Sequence, residues 1–354
     1  MRKPAALVTI IIYIFMLSAC TTSGEKSTAG NSNQGTKSAQ TTSTSRNAST
    51  VNNSTDIKKD TGKTEEVKMS VTLYYQDKGG FVVPVTLKLA KTLSIARTVI
   101  GELTDNEKNR AKLLALGLAP VLPQGTVLKS INIKDGTVRI DFNSKFTEAK
   151  NEMAERNAVV SLVYSLTELT TIKSVNILIE GKQYGKLKYG TDISGLLDRK
   201  NTLINSGAIN ITKGMAKYDA FIYRAESDKI YYLIPISKEL EDKDIKSKIS
   251  AAIQFMSKTF DESGLFTEIP AGTKLIGCLL KEGVLTINVN SAIKSYGGGN
   301  SREAGLIDQI LYCLKQVEGV KSVKILIDGK QAILPEGTEI SSLILPEHIN
   351  EINY

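Results

Sequence analysis

Carboxylates are the side chains in this sequence whose type and position could support acid–base chemistry. The chain repeats itself at an offset of 147 or 148 residues, so a catalytic group that both copies need should be the same in both. Asp141 is matched by Asn288, which cannot act as a base. Glu155 and Glu303 do match, but they fall in the first turn of a predicted helix, where a negative charge complements the helix dipole. We therefore predict structural roles for Glu155 and Glu303, and the mismatch at Asp141 argues against a duplicated base there.

A glycoside hydrolase needs two carboxylates about 5–10 Å apart in a cleft, and the sequence specifies no such pair. Glu148 precedes the helix of the first copy, but the aligned region of the second copy has Ser295 and Tyr296. The comparison between copies argues against a duplicated hydrolytic site. A site confined to one copy stays open.

The sequence also lacks the residue sets that nucleophilic catalysis and metal binding need. Ser144 and Ser291 match each other, but a nucleophilic serine needs a base, and the only histidine is His348 near the C-terminus. Cys278 and Cys313 could form one disulfide or be two buried thiols, and they are too few for a zinc site. The phosphate-loop motif is missing as well. We expect no catalytic residue, no metal and no cofactor.

The repeat includes short strings that predict strands and turns. Residues 173–183 read KSVNILIEGKQ and residues 321–331 read KSVKILIDGKQ, identical at nine of eleven positions. Glycine after an acidic residue or within a P-x-G-T string accepts positive φ at little cost and so predicts a turn. The predicted turn glycines are Gly125, Gly136 and Gly181 in the first copy and Gly272, Gly283 and Gly329 in the second.

The elements that position these turns follow from apolar periodicity. Alternation at 138–142 and 285–289 predicts strands with one buried face, and spacings of three and four at 159–169 and 306–317 predict helices with one apolar stripe. The order in each copy is β-β-α-β-β-α-β or close to it. This order predicts an α+β fold in which two helices pack on one face of a small sheet, with enough residues for each copy to have its own core.

Each copy begins with a predicted hairpin, at about 71–87 and 221–236. Pro84 and Pro235 lie in the second strand of these hairpins, where proline removes a ladder donor. We expect both strands to be edges of their sheets or bulged.

The N-terminus has the pattern of a lipoprotein signal. Met1-Arg2-Lys3 is followed by a short apolar run and by Leu17-Ser18-Ala19-Cys20, which matches the bacterial lipobox. The match implies cleavage of a signal peptide at 1–19 and attachment of lipid, including palmitate, to Cys20. A plain secretory signal or an uncleaved anchor is the alternative.

Residues 20–67 are predicted to be a disordered tether, because 21–67 contain 19 Ser or Thr and no aromatic residue. The predicted domains then run from 68 to 190 and from 216 to 345. Residues 191–215 join them, as a hinge or as a packed segment, and residues 346–354 form a tail. The net charge of +8 is spread along the chain without a basic cluster, so we expect no nucleic-acid binding.

The repeated motifs resemble those of the GerM-domain family of sporulation and spore germination. They are a P-x-G-T turn, a K-[DE]-G-x-x-x-[IL]-[DN]-[FV]-N strand, an amphipathic helix and V-x-I-L-I-[DE]-G-K. Both copies carry them, and together they cover roughly residues 68–345. The resemblance implies two tandem GerM domains similar to the ring-building motifs of secretion systems.

The resemblance also implies a function, which the composition and periodicity do not. It implies a non-catalytic lipoprotein on the outer face of the cytoplasmic membrane, in the space between mother cell and forespore during sporulation. There it would assemble or position a channel complex through contacts with sporulation envelope proteins. The alternative is hydrolysis of spore-cortex peptidoglycan, or an accessory role in it. Binding to peptidoglycan is a weaker possibility, because the chain has no Trp to stack on sugars.

Overall fold

The computed structural model describes residues 67–227, 229–242, 244–260, 264–297 and 299–352. The predicted signal peptide, Cys20 and the predicted tether up to residue 66 lie outside these residues. The predictions made for that part of the chain therefore stay predictions.

The first domain contains seven strands and three α-helices among the described residues. Its strands are β1 (Lys68–Asp77), β2 (Val82–Ala90), β3 (Leu118–Ala119), β4 (Leu128–Lys134), β5 (Thr137–Phe142), β6 (Ser174–Ile179) and β7 (Lys182–Gln183). Its helices are α1 (Ile95–Leu103), α2 (Glu107–Leu114) and α3 (Glu152–Leu166), with a 3-10 turn at Ser144–Thr147.

The second domain repeats this order with one α-helix fewer among the described residues. Its strands are β8 (Ala216–Ser227), β9 (Ile230–Leu240), β10 (Leu265–Phe266), β11 (Leu275–Lys281), β12 (Val284–Val289), β13 (Ser322–Ile327) and β14 (Leu343–Ile344). Its helices are α4 (Ile245–Met256) and α5 (Gly299–Lys315), with a 3-10 turn at Ser291–Lys294. The α+β class and the tandem arrangement are confirmed.

Each domain has two small sheets where the sequence predicts one. In the first domain the orders are β2-β1-β3 and β4-β5-β6-β7, and in the second they are β10-β8-β9 and β11-β12-β13-β14. The opening hairpin pairs with a two-residue strand instead of joining the larger sheet. In each larger sheet the two central strands are parallel and are connected through a helix, α3 or α5.

Tight turns reverse the chain after strands of the larger sheets. At Glu180-Gly181 and Asp328-Gly329 both residues have positive φ, with values of 51° and 76° in the first turn and 49° and 77° in the second. Two successive positive φ values define a type I′ turn, whose twist matches that of the flanking strands. Asp135-Gly136 and Glu282-Gly283 form the same turn between β4 and β5 and between β11 and β12.

Helix α3 is buried on nearly all sides instead of on the single predicted stripe. It contacts β1 and β2 of one sheet and β6 of the other. Ser161 and Ser165 are therefore fully buried beside Leu162 and Leu166. The Ser165 hydroxyl accepts a hydrogen bond of 2.9 Å from the Tyr74 amide of β1, which compensates for its burial.

The two domains share one contiguous apolar core and belong to one compact unit, so neither has the separate core that the sequence suggests. The proline-containing strands β2 and β9 are edge strands, as predicted, and they contact each other. The predicted linker is a packed segment, because Ile193, Leu203 and Ile204 are buried within it. Ile349 of the predicted tail is buried as well.

Candidate functional site at the domain junction

Asp141 and Asn288 occupy equivalent positions and perform the same structural task. Asp141 Oδ1 accepts a hydrogen bond of 2.8 Å from the amide of Gly181, and Asn288 Oδ1 accepts one of 2.8 Å from the amide of Gly329. Each side chain fixes the type I′ turn on the neighbouring strand. Only an acceptor oxygen is needed, which explains why a carboxylate and an amide can replace each other.

Glu155 and Glu303 anchor equivalent loops from inside the protein. The Glu155 carboxylate accepts hydrogen bonds from the amides of Tyr189 and Thr191 at 2.8 and 3.0 Å. The Glu303 carboxylate accepts equivalent hydrogen bonds from the amides of Glu336 and Thr338, at 2.9 and 3.0 Å. Both side chains are buried. The sequence predicted a contact with the helix dipole, and the structure shows that both carboxylates also bind loop amides.

Burial by itself raises the pKa of the Glu303 carboxyl, but hydrogen bonds reverse this effect. The Tyr296 hydroxyl and the amides of Glu336 and Thr338 donate to the carboxylate. These donors stabilise the charged form, and the pKa of Glu303 falls below its ordinary value. A carboxyl held ionised in this way is poorly suited to act as a general acid.

The matched serines start the two 3-10 turns that follow β5 and β12. The preceding asparagines connect this point to an upstream loop. Asn143 accepts a hydrogen bond from the Val127 amide and donates one to the Gly125 carbonyl, at 2.9 and 3.0 Å. Asn290 makes the same two bonds at the same distances. The serines therefore lie where the chain turns. The asparagine before each serine makes the same two contacts within its own copy.

The six predicted turn glycines all adopt positive φ, between 76° and 83°.

Cys278 and Cys313 are free thiols, and burial raises the pKa of the Cys313 thiol to about 12. Within the described residues no three His, Cys, Asp or Glu side chains come together as metal ligands.

The junction between the domains is held by two asparagines related by pseudo-symmetry. Asn205 bonds to both backbone groups of Val82 in β2 and to the carbonyl of Pro235 in β9, at 2.7–2.8 Å. Asn350 bonds to both backbone groups of Leu233 in β9 and to the carbonyl of Pro84 in β2, at 2.7–3.0 Å. Each asparagine thus connects the edge strand of one domain to that of the other.

The backbone beside each asparagine crosses the junction in the same way. The Ser237 amide donates to the Ile204 carbonyl at 2.9 Å, and the Thr86 amide donates to the Ile349 carbonyl at 3.1 Å. The Thr86 hydroxyl also donates to the Ile349 carbonyl, at 2.8 Å. The predicted linker and the predicted tail are therefore equivalent structural segments that cover the edges of β2 and β9.

An ion pair crosses the junction next to these segments. Arg224 Nε lies 2.6 Å from Asp77 Oδ2, and both side chains are buried. The Asp77 carboxylate also accepts a hydrogen bond of 2.8 Å from the Phe81 amide. Lys78 lies 3.1 Å from the buried Glu226 carboxylate, which extends the pairing to the surface. Breaking a buried pair leaves an uncompensated charge, so these contacts fix how the hairpin of the first domain meets β8.

A second polar cluster joins α3, the connecting segment and β8. Lys217 Nζ donates to Tyr164 Oη at 2.7 Å and lies 3.0 Å from Asp219. Tyr164 Oη donates to the Thr202 carbonyl at 3.0 Å, and the Arg199 guanidinium lies 4.9 Å from the Tyr164 ring centroid. Burial lowers the pKa of Lys217 and raises that of Tyr164 well above its ordinary range. Both groups are occupied by neighbours, so the cluster serves to hold the junction.

A cavity of about 490 Å³ opens beside the ion pair. Residues from both domains line it, among them Asp77, Lys78, Lys150, Met153 and Glu226. Its two carboxylates are paired with cations, Asp77 with Arg224 and Glu226 with Lys78. Both carboxylates among the described lining residues are therefore engaged in ion pairs.

The sequence analysis did not predict the residues that join the two domains. An Ile-Asn dipeptide at 204–205 and at 349–350 was a signal for the two asparagines, at an offset of 145 residues. The same dipeptide also occurs at 131–132, 209–210, 287–288 and 352–353, so the signal has little specificity. Lys217, Arg224 and Asp77 have no sequence pattern that predicts their contacts.

Comparisons with known proteins agree with this architecture. A family model described as "Germane: Sporulation and spore germination" matches residues 72–185 and 222–333. The spore germination protein GerM of Bacillus subtilis (strain 168) is 30% identical over 292 residues, which cover 80% of this chain and 78% of that protein.

Solved structures give the same result. The tandem GerMN domains of the sporulation protein GerM from Bacillus subtilis superpose with a TM-score of 0.69 and 27% identity, and the match covers 81% of this chain and 100% of that one. The first GerMN domain alone matches 37% of this chain and 98% of that one at 34% identity, with a TM-score of 0.35.

Among the described residues, no helix is long and apolar enough to cross a membrane.

Proposed function

The chain belongs to the Germane family of sporulation and spore-germination proteins, and we propose that it acts as a non-catalytic assembly protein of the spore envelope. In this proposal it is held on the outer face of the cytoplasmic membrane by lipid on Cys20. It lies between mother cell and forespore and positions a channel complex through contacts with envelope proteins.

The observation that carries the proposal is the use of the matched polar residues. Asp141, Asn288, Glu155 and Glu303 would be the strongest candidates for a duplicated active site, and each is engaged with backbone amides of its own domain. The repeat therefore preserves a scaffold. A scaffold of two joined domains suits a protein that holds partners at a fixed spacing.

The first experiment separates assembly from hydrolysis. Purified full-length protein in detergent is incubated with spore-cortex peptidoglycan, and soluble fragments are measured against a lysozyme control. We expect no release above the buffer level, because the described carboxylates at the junction are paired with cations. Robust release without added hydrolase would contradict the assembly function and support cortex hydrolysis.

A second experiment tests the partners. The full lipoprotein is crosslinked and recovered from sporulating cells, and the bound proteins are identified. We expect envelope proteins of the channel complex, since assembly requires direct contact. Recovery of peptidoglycan fragments without any envelope protein would contradict the proposal.

The anchor is tested by Cys20→Ala. We expect this variant to lose lipid labelling and to leave the membrane fraction, because acyl chains on one cysteine hold a protein to a bilayer by about 0.8 kcal/mol per buried methylene. Cys278→Ala is the matched control, since it removes a free thiol within the folded part and should keep the label. Unchanged labelling of Cys20→Ala would show that the lipid is attached elsewhere.

A further inference from the structure

The larger sheet of the second domain has an outer face that no described element of this chain covers fully. Strand alternation places Leu285, Ile287 and Val289 of β12 in the core, so Val284, Thr286 and Asn288 point outward. The register then assigns the outward positions of the neighbouring strands. They are Gly277, Leu279 and Lys281 in β11, Ser322, Lys324 and Leu326 in β13, and Ile344 in β14.

Three apolar side chains on this face are strongly exposed. The exposed fractions are 65% for Leu279, 82% for Ile344 and 40% for Val284. Val284 and Ile344 lie on either side of Ser322, since both pair with it. Leu279 is one diagonal step from Val284, because the adjacent pair is Lys281 with Val284. The three side chains form a stripe across the sheet, with the small Ser322 between Val284 and Ile344.

The first domain shows that the fold does not require this stripe. At the positions equivalent to Leu279 and Val284, 147 residues earlier, it has Asn132 and Thr137. Both are polar, and the rest of the outward set of β4 and β5 is polar or charged as well. At these two positions the second domain therefore exposes apolar groups where its duplicate has polar ones, and contiguous exposed apolar groups are a feature of interaction surfaces.

The charged residues at the outward positions of β11, β12 and β13 are all basic. Lys281 and Lys324 are the charged residues among the outward positions of β11, β12 and β13, and none of those described positions is acidic. Glu282 lies in the turn between β11 and β12, beyond the stripe. A partner that covers the stripe is therefore favoured if it carries acidic residues beside its apolar ones.

The occupant is best matched by a helix of another protein. The backbone groups of a sheet face are already paired, so a strand laid on the face would leave its own backbone groups without partners, whereas a helix satisfies its own. A second copy of this chain, related by a two-fold axis, would bring Lys281 and Lys324 towards their own copies. Residues 21–66 have only isolated apolar residues and cannot supply a stripe.

We propose that the outer face of the sheet β11-β12-β13-β14 binds an amphipathic helix of a partner protein, with acidic residues flanking its apolar side. From β11 to β14 there are three strand spacings, or about 14 Å, which a helix of about ten residues spans. Leu279, Val284 and Ile344 contact the apolar side of the helix, and Lys281 and Lys324 pair with its carboxylates. This inference rests on the proposed assembly function and supplies one of its contact surfaces.

The test uses full-length protein in detergent and a fluorescent synthetic peptide of about 14 residues, with leucine at positions i, i+3, i+4 and i+7 and glutamate between them. Binding is followed by fluorescence anisotropy. A peptide with lysine in place of every glutamate and a scrambled peptide of the same composition are the controls. We expect the acidic peptide to bind at least about tenfold more tightly than either control.

Paired variants locate the binding surface. Leu279→Asp with Val284→Asp should weaken binding of the acidic peptide about tenfold or more. The matched change in the first domain, Asn132→Asp with Thr137→Asp, should leave it unchanged. Each changed side chain is at a surface position, and circular dichroism with thermal melting checks that both variants stay folded.

A charge reversal provides a second measurement. Lys281→Glu with Lys324→Glu should weaken binding of the acidic peptide and strengthen binding of the lysine peptide.

Several results would overturn the proposal. They are equal binding of the acidic and lysine peptides, equal loss of binding in both domain variants, or dimerisation that Leu279→Asp disperses, which would assign the face to a second copy. If peptide binding fails while crosslinking still recovers envelope proteins, this surface is wrong and the proposed function stands. If binding holds but no envelope protein is recovered, the proposed function is wrong and the surface stands.

Discussion

At the residue scale, equivalent positions of the two domains show which property of a side chain the fold requires. Asp141 and Asn288 differ in charge but share an acceptor oxygen at 2.8 Å from a turn amide. Asn143 and Asn290 are the same residue because the site needs both an acceptor and a donor. The residue type at each position therefore follows from the number of donors and acceptors that the backbone requires.

The first prediction concerns Asp141. Asp141→Asn keeps the acceptor and should change the free energy of unfolding by less than about 0.5 kcal/mol, whereas Asp141→Ala should cost about 1 kcal/mol because the Gly181 amide loses its partner. Urea unfolding measures both. Asn288→Asp is the matched control in the second domain and should resemble Asp141→Asn. Equal destabilisation by the Asn and Ala variants would show that the charge is what matters.

The second prediction concerns the turn glycine Gly181. It has φ of 76°, and a Cβ added there would meet no neighbouring atom within 4 Å. Gly181→Val should therefore destabilise the protein by about 1–2 kcal/mol through backbone strain alone. Gly185→Val is the control, because Gly185 also has open space but no positive φ. Equal melting temperatures for the two variants would contradict the turn assignment.

At the element scale, a buried carboxylate on a helix holds a distant loop in each domain. Glu155 is on α3 and Glu303 is on α5, and each fixes a loop more than thirty residues further along the chain. Each loop has one short antiparallel bridge, and the buried carboxylate adds two hydrogen bonds to its amides.

The third prediction concerns the pH dependence of this anchor. Because the pKa of Glu303 is lowered in the folded state, its contribution is complete above its ordinary value of 4.5 and is lost as the pH falls through the folded value. Glu303→Gln cannot ionise. The difference in the free energy of unfolding between wild type and this variant should be largest at neutral pH and should shrink below about pH 4.5.

Urea unfolding from about pH 3 to about pH 7 measures this difference. Glu347→Gln, which changes an exposed carboxylate, is the control. A difference between wild type and Glu303→Gln that stays constant with pH would contradict the role of the charge.

At the scale of the whole molecule, the two domains act as one folded body. Most of their buried apolar residues form one core, and the segments that contain Asn205 and Asn350 each connect β2 to β9. The buried pair of Asp77 and Arg224 adds a charged contact at the same junction. Two domains fixed in this way can present two surfaces at a constant spacing, which is what assembly of a larger complex would use.

The fourth prediction concerns the C-terminal segment. Deletion of residues 346–354 removes the carbonyl of Ile349 and the side chain of Asn350, which bond to Thr86 and Pro84 more than 260 residues away. The free energy of unfolding should fall by about 2–5 kcal/mol. Hydrogen exchange at the Thr86 amide should become faster, because this amide donates to Ile349.

The control for this deletion removes only residues 353–354, which lie beyond these contacts in the sequence. Unchanged exchange at Thr86 in the longer deletion would show that the tail does not hold the first domain.

The sequence by itself determined the features that depend on neighbours along the chain. Alternation in 138–142 and 285–289 predicted β5 and β12, and the acidic-glycine pairs predicted tight turns. Pro84 and Pro235 predicted strands that are edges or bulged, since proline removes a ladder donor, and both strands are edges. The duplication itself was readable because related copies keep the same local hydrogen-bond requirements.

Only the tertiary structure decided how these local elements meet. Helix α3 reads as having one apolar stripe, yet it is buried on nearly all sides because a sheet covers each of two faces. Asp77 and Arg224 are 147 residues apart in sequence, and no local pattern predicts that they form a pair. The predicted linker and tail became equivalent parts of the junction because β2 and β9 are edge strands whose free backbone groups need partners. That need arises only after both domains have folded, and it cannot be read from either segment alone.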